Sequence, residues 1–117
     1  FLQVPPKLAK EERAPDSIQF NLVDLSEDEA QTFAQAAAAR GVKVQVFGQS
    51  ADNARAFWNW QFIPGPAPDL PRTRRMLMRA CDCRLPARLT RNELDFIVNA
   101  LLDAAQEASG GLRAYGT

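Results

Sequence analysis

An uninterrupted strand, helix, strand pattern between Ser17 and Val46 restricts the fold more than any other feature. Ile18, Phe20 and Leu22 alternate with Ser17, Gln19 and Asn21, the two-residue period of a strand with one buried face. Ser26 precedes Glu29 by the spacing of a capping box, and Ala30, Phe33, Ala34 and Ala37 follow at helical spacing, which predicts a helix from about residue 27 to 40. Gly41 is placed to stop it, because a residue without a Cβ enters the left-handed region at least cost. Val42, Val44 and Val46 then alternate with Lys43 and Gln45, a second strand ending at Phe47 and Gly48. If the two strands are parallel, the unit crosses over right-handedly with its helix on their shared apolar face, and a third strand can lie between them.

The other elements are shorter. Phe1, Leu2 and Val4 form a strand-like run before Pro5 and Pro6, and residues 7 to 16 are charged or small, as in a solvated loop. From residue 49 to 68 periodicity gives way to a polar turn, an aromatic cluster of Phe57, Trp58, Trp60 and Phe62, and a Pro-Gly-Pro-Ala-Pro run. Pro71 suits the first turn of a short helix with Met76, Leu77 and Ala80 on one side. Cys81, Cys83 and Leu85 alternate with Asp82 and Arg84, which predicts a third short strand before Pro86. Thr90 and Glu93 repeat the capping-box spacing, and Leu94, Ile97, Val98, Leu101, Leu102 and Ala105 trace an apolar stripe over several turns. Gly110 and Gly111 end that last helix, and a mobile tail is expected within residues 106–117.

Composition limits the chemistry. The 117 residues are the length of one domain, residues 1–117, and a hydrophobic share of 46% with 24% charged residues is that of a folded globular chain. Fourteen basic residues balance fourteen acidic ones, so no global field draws the chain to nucleic acid or an anionic membrane. There is no histidine, which removes the commonest general base, the Ser-His and Cys-His nucleophile pairs and most zinc sites. Cys81 and Cys83 supply two soft ligands where structural zinc wants four, so no metal is expected. Buried and reduced, they suit a cytoplasmic setting. The apolar stretches are far shorter than the roughly 20 residues of a membrane span, and a soluble chain is expected. It starts at Phe1, directly in an apolar run, as a piece cut from something longer would.

Neither glycine-rich phosphate-binding pattern occurs. Between Arg72 and Arg91 seven arginines accompany the single Asp82, a segment that could grip phosphates or serve as a solvated helical face and partner contact. No nucleic-acid binding is expected, because the aromatic residues do not interleave with the basic ones along the chain. Trp58 and Trp60, with Phe57 and Phe62, could line a ligand pocket, pack beneath their own loop, or meet a neighbouring domain.

The run from Arg84 through Leu85, Pro86, Ala87, Arg88 and Leu89 to Thr90, continuing into Glu93, Ile97 and Val98, resembles the end of pyridoxal-phosphate-dependent aminotransferases of the DegT/DnrJ/StrS family. Residues 16–20, 40–44 and 47–48 are similar to earlier segments of the same C-terminal domain, in the same order, so that the likeness spans about residues 16–105. It implies an α+β fold: a small sheet of about three to four strands covered on one face by helices, as in the small domain of fold-type-I enzymes. It also implies a parent homodimer with a large N-terminal domain, absent here, that carries the Schiff-base lysine and most cofactor ligands. Pyridoxal phosphate belongs to that parent, none is expected on this chain alone, and the chain should not transaminate. By the same resemblance, Arg84 stands where an arginine pairs with the substrate carboxylate, a planar two-point donor suited to that anion. The competing expectation is a free-standing interaction module that binds an anionic or protein partner through residues 72–91 or the Trp58/Trp60 loop.

Overall fold

The computed structural model describes residues 1–10, 12, 16–62 and 64–110. Its elements are β1 (Leu2–Gln3), β2 (Ser17–Leu22), α1 (Glu27–Ala39), β3 (Gln45–Val46), α2 (Pro71–Leu77), β4 (Ala80–Arg84) and α3 (Arg91–Ala108). The strands form one sheet in the order β1-β2-β4-β3. Each neighbouring pair is antiparallel. β2 and β3 are therefore parallel to one another with β4 inserted between them, so the room left by the strand, helix, strand unit is filled from the far end of the chain. The fold is α+β, with helices packed on the sheet.

Register fixes which residues face the helices. Ile18 lies opposite Cys83 and Phe20 opposite Cys81, and Val46 completes the row across Cys81. These side chains, with Leu22, join Phe33, Ala37, Leu101 and Ala104 in one core. Phe20 and Phe33 meet edge to face with centroids 6.0 Å apart, the arrangement that aromatic quadrupoles favour. The second expected strand is shorter in hydrogen bonding than in pattern. Val42, Val44 and Val46 are buried while Lys43 and Gln45 are exposed, yet only Gln45 and Val46 pair with β4.

Capping sets the helix starts. Ser26 N–H donates to Glu29 Oε1 at 2.9 Å and Glu29 N–H donates to Ser26 Oγ at 3.1 Å, a reciprocal box beside three acidic residues in the first turn that complement the helix dipole. At α3, Glu93 N–H donates to Thr90 Oγ1 at 3.1 Å, but the Glu93 carboxylate accepts from the Thr90 hydroxyl instead of the backbone. Gly41, at φ 86°, closes α1 as expected. Arg40 then ties the two long helices together, donating to Ala36 O at 3.0 Å and to Glu107 Oε2 at 2.7 Å.

Two expectations for the final helix need correction. The apolar stripe is rotated: Leu101 and Ala105 are buried, but Val98 and Leu102 are 41% and 50% exposed, and Ala100, Ala104 and Ala108 take the inner positions. Two alanine-rich helices approach closely only through their small residues, so α1 and α3 turn Ala37 and Ala104 inward, and the larger leucine and valine are pushed to the flanks. Residues 106–109 also belong to the folded part and not to a mobile tail, because α3 continues to Ala108 and Ser109 is buried; residues 111–117 lie outside the described residues. The short helix differs too: Met76 is exposed, since α2 packs against the turn at residues 47–49 and is not part of the layer over the sheet.

Ala104 is fully buried, so Ala104→Leu should overpack the helix layer and destabilise the chain by about 1–3 kcal/mol. Leu102→Ala, on the exposed flank, should change stability by about 0.5 kcal/mol or less. Urea unfolding of the two variants measures the contrast.

Candidate binding cleft beside β3 and β4

β3 makes only a two-residue ladder, and the chain before it runs beside β4 without pairing. Along this edge opens a cleft of about 690 Å³, lined among others by Lys43, Gln45, Ser50, Asp82, Arg84 and Pro86, a size suited to a small molecule. Its rim is held in place by hydrogen bonds. Gln49 Nε2 donates to Glu27 O at 3.1 Å, fastening the turn after β3 to the start of α1. Asn59 Nδ2 donates to Ser50 O at 2.9 Å and to Asn53 O at 3.1 Å, and Arg55 N–H donates to Asn53 Oδ1 at 2.8 Å. These bonds make residues 50–60 a self-supporting loop. Gly48 lets the loop approach α2, because a Cβ there would lie 3.0 Å from Met78 Cα and 2.5 Å from its sulfur.

Arg84 ends β4, opposite Ser17. Its side chain is exposed and lines the cleft, away from the face of Cys81 and Cys83. The other arginines of residues 72–91 are in part committed elsewhere. Arg74 lies over the Trp58 ring at 4.3 Å; Arg79 donates to Leu25 O at 2.7 Å and Arg75 O at 2.9 Å; Arg91 faces Asp95 at 3.8 Å. Folding thus brings an arginine onto an aromatic ring although the two are separate along the chain. The aromatic loop divides: Phe57 is buried, Trp58 half-buried against it with centroids 5.0 Å apart, and Phe62 is 77% exposed. Trp60 Nε1 donates to Ala54 O at 2.6 Å. Packing within the loop accounts for Phe57 and Trp58, and none of the four rings lines the cleft beside β3 and β4.

Asp82 was grouped in the sequence only as the outward partner of two buried cysteines. In the fold it is 7% exposed, and its Oδ1 is buried with no hydrogen-bond partner. The register explains how. Gln19 of β2 and Gln45 of β3 lie directly across from it, so two long side chains flank the central strand on the face away from the helices. The available signal was a lone acid in an arginine-rich segment, in a strand that becomes central only through long-range pairing.

Cys81 and Cys83 are free and buried. Burial pushes the Cys81 thiol up to about 12 from its ordinary 9.0. Burial also raises Cys83, and the neighbouring Asp82 carboxylate adds to that rise. No cluster of metal-ligating side chains occurs among the described residues, and no described helix is long and apolar enough to cross a membrane. Comparison with protein-family models, curated proteins and solved structures finds no match to the chain.

The thiols have a pH consequence. Above pH 9 the unfolded chain loses thiol protons that the folded chain keeps, so the folded state binds more protons and loses stability as pH rises from about 9 toward 12. The slope should reach about 1.4 kcal/mol per pH unit for each such thiol, and below pH 9 the thiols should contribute no pH dependence. Urea midpoints across this range, in the natural chain and in Cys81→Ala, measure the slope and its reduction. Thiolate absorbance of Asp82→Asn should in addition show Cys83 ionising at lower pH.

Proposed function

We propose that this chain is the C-terminal, substrate-facing domain of a pyridoxal-phosphate-dependent aminotransferase-like protein, in which Arg84 binds the carboxylate of the substrate. The observation that carries this reading is the position of Arg84: exposed at the end of the central strand, opening on the cleft, and followed at once by Leu85, Pro86 and the Thr90-capped last helix. A strand end holds the guanidinium base firmly while leaving its fork free for a two-point contact with an anion. Lys7, Lys10 and Lys43 are all exposed, so none offers the desolvated amine that imine formation requires. The cofactor and its lysine belong, in this reading, to a large domain outside the chain. What this chain's residues do is bind and orient: Arg84 fixes the acid end of the substrate, and Gln49 and Ser50 border the cleft.

A second reading has its own support. Trp60, Phe62, Leu70 and Met76 are large apolar side chains exposed around the irregular segment and α2, and an interaction module would use that surface for a protein partner. In the first reading the same surface faces the large domain.

In the full-length parent, Arg84→Ala should lower kcat/KM for carboxylate-bearing amino donors by an amount equivalent to about 2–4 kcal/mol, the loss of a charge-assisted two-point contact. Its stability should change by about 0.5 kcal/mol or less, as for other exposed side chains. Steady-state kinetics beside thermal unfolding separates the two. Unchanged kinetics with a marked loss of stability would make Arg84 a structural residue, and a parent that forms no aldimine with pyridoxal phosphate would overturn the reading altogether.

A further inference from the structure

We infer that the gap between β3 and the end of β4 receives the C-terminal end of an extended peptide, backbone to backbone, with the peptide's carboxylate facing Lys43 and Arg84. This goes beyond the preceding reading, because it needs no second domain and no cofactor. The inference begins from an interrupted ladder. Leu22 N–H donates to Arg79 O at 2.9 Å and Leu85 N–H donates to Asp16 O at 2.8 Å, so in this register the odd-numbered residues of β4 bond to β2. Its even-numbered residues, Ala80, Asp82 and Arg84, turn their N–H and C=O toward β3. Gln45 meets Asp82, and two residues farther the same register sets Lys43 against Arg84. No backbone hydrogen bond joins that pair. Among the described residues Lys43 N–H and C=O have no backbone partner, and Arg84 O has only the Cys83 thiol at 4.0 Å.

The shape and charge of the gap select the occupant. Unpaired donors and acceptors alternating along a strand are matched by another peptide backbone. The gap is blind, because the Gln45–Asp82 pair closes it, and Pro86 limits pairing at its mouth for want of an N–H. A chain end fits such a wedge, and a strand passing through does not. The exposed charges on its border are Lys43 and Arg84, which favour a carboxylate and repel an amino terminus. Asp82 is no counterpart for an ammonium, since its unpartnered oxygen is buried out of reach. Toward the helices the gap is floored by Ala34 of α1 and Ile97 of α3, a seat for an apolar last side chain. Past Gly41 and Val42 it continues into a shallow apolar depression bordered by Leu89 and Phe96. Phe96 is 59% exposed there, placed to meet the side chain two residues before the end, which an extended chain turns to the same face.

The test is NMR titration of the 117-residue chain with the peptide acetyl-Ser-Leu-Ser-Val bearing a free carboxylate, its C-terminal amide, its analogue N-methylated at the valine, and acetyl-valine. Saturable shifts at residues 42–44, 84–85 and 97 are expected with the free acid, bound about tenfold or more tightly than the other three, the worth of one hydrogen bond to a charged group. In the free chain the Lys43 amide should exchange with solvent about tenfold or more faster than the Gln45 amide, and saturation with the free acid should slow it by a similar factor. The double variant Lys43→Gln, Arg84→Gln alters only exposed side chains and should bind the acid and the amide equally. A Lys43 amide already as protected as Gln45, absence of saturable shifts, equal binding of the amide or the N-methyl analogue by the natural chain, or a preference for the acid that survives in the double variant would overturn the inference. Equal binding of acetyl-valine would overturn it as well and leave a site for a lone carboxylate. Loss of pyridoxal chemistry in a parent protein would leave these results untouched, so the two readings fail separately.

Discussion

Insertion of β4 between β2 and β3 is the constraint on which the other features rest. Among the described residues β3 pairs with no strand but β4, and it lies more than thirty residues upstream of β4 in sequence, so the loop between must close before the ladder forms. Everything in that interval answers to closure. Residues 50–60 fold on themselves through Asn53 and Asn59, Gly48 permits close approach to α2, and Arg79 donates to Leu25 O. That last contact fixes the entry of β4 against the turn leaving β2, where Leu22 N–H donates to Arg79 O at 2.9 Å. A central strand delivered late and held at both ends explains how a ladder of two residues persists at the sheet edge.

Local physics was legible in the sequence and non-local physics was not. The Ser26 box, Gly41, the Pro71 helix start and the alternation at Cys81 and Cys83 each depend on a few neighbouring residues. Their boundaries fall within a residue or so of what spacing predicts. The rotation of α3 depends instead on what α1 presents to it. A stripe read by hydrophobicity favours Val98 and Leu102 over alanine, whereas close helix packing favours Ala100, Ala104 and Ala108. Asp82 is the same kind of failure at the site. Alternation assigns it correctly to the face away from the helices, and only the register of two distant strands reveals that this face is flanked by Gln19 and Gln45.

The exposed strand-end position of Arg84 was legible in the sequence and the burial of Asp82 was not, for related reasons. Alternation along one strand is enough to place Arg84 off the face of Cys83 and at the strand's end. A carboxylate is informative only through its surroundings, which one strand's sequence does not contain. The seven-arginine segment shows the converse. As a run it suggests a basic surface, but Arg74 and Arg79 face an aromatic ring and backbone carbonyls respectively, so the density of charge in sequence overstates what the fold leaves available for a phosphate backbone.

Asp82 also bears on the two cysteines that enclose it. Small, apolar and shaped to fit beneath two helices, Cys81 and Cys83 let α1 and α3 settle on the sheet without a hydroxyl or a charge in the core. Their thiols stay protonated because burial opposes the thiolate, and the Asp82 charge reinforces this at Cys83. The strand therefore keeps its two faces distinct: neutral sulfur toward the helices, a carboxylate with a buried, unpartnered oxygen on the opposite face. Valine at position 82 would remove the desolvation cost and suit a central strand better. A central strand selected for stability alone has no use for an acid there, so Asp82 is a position in β4 where local preference and place in the sheet disagree.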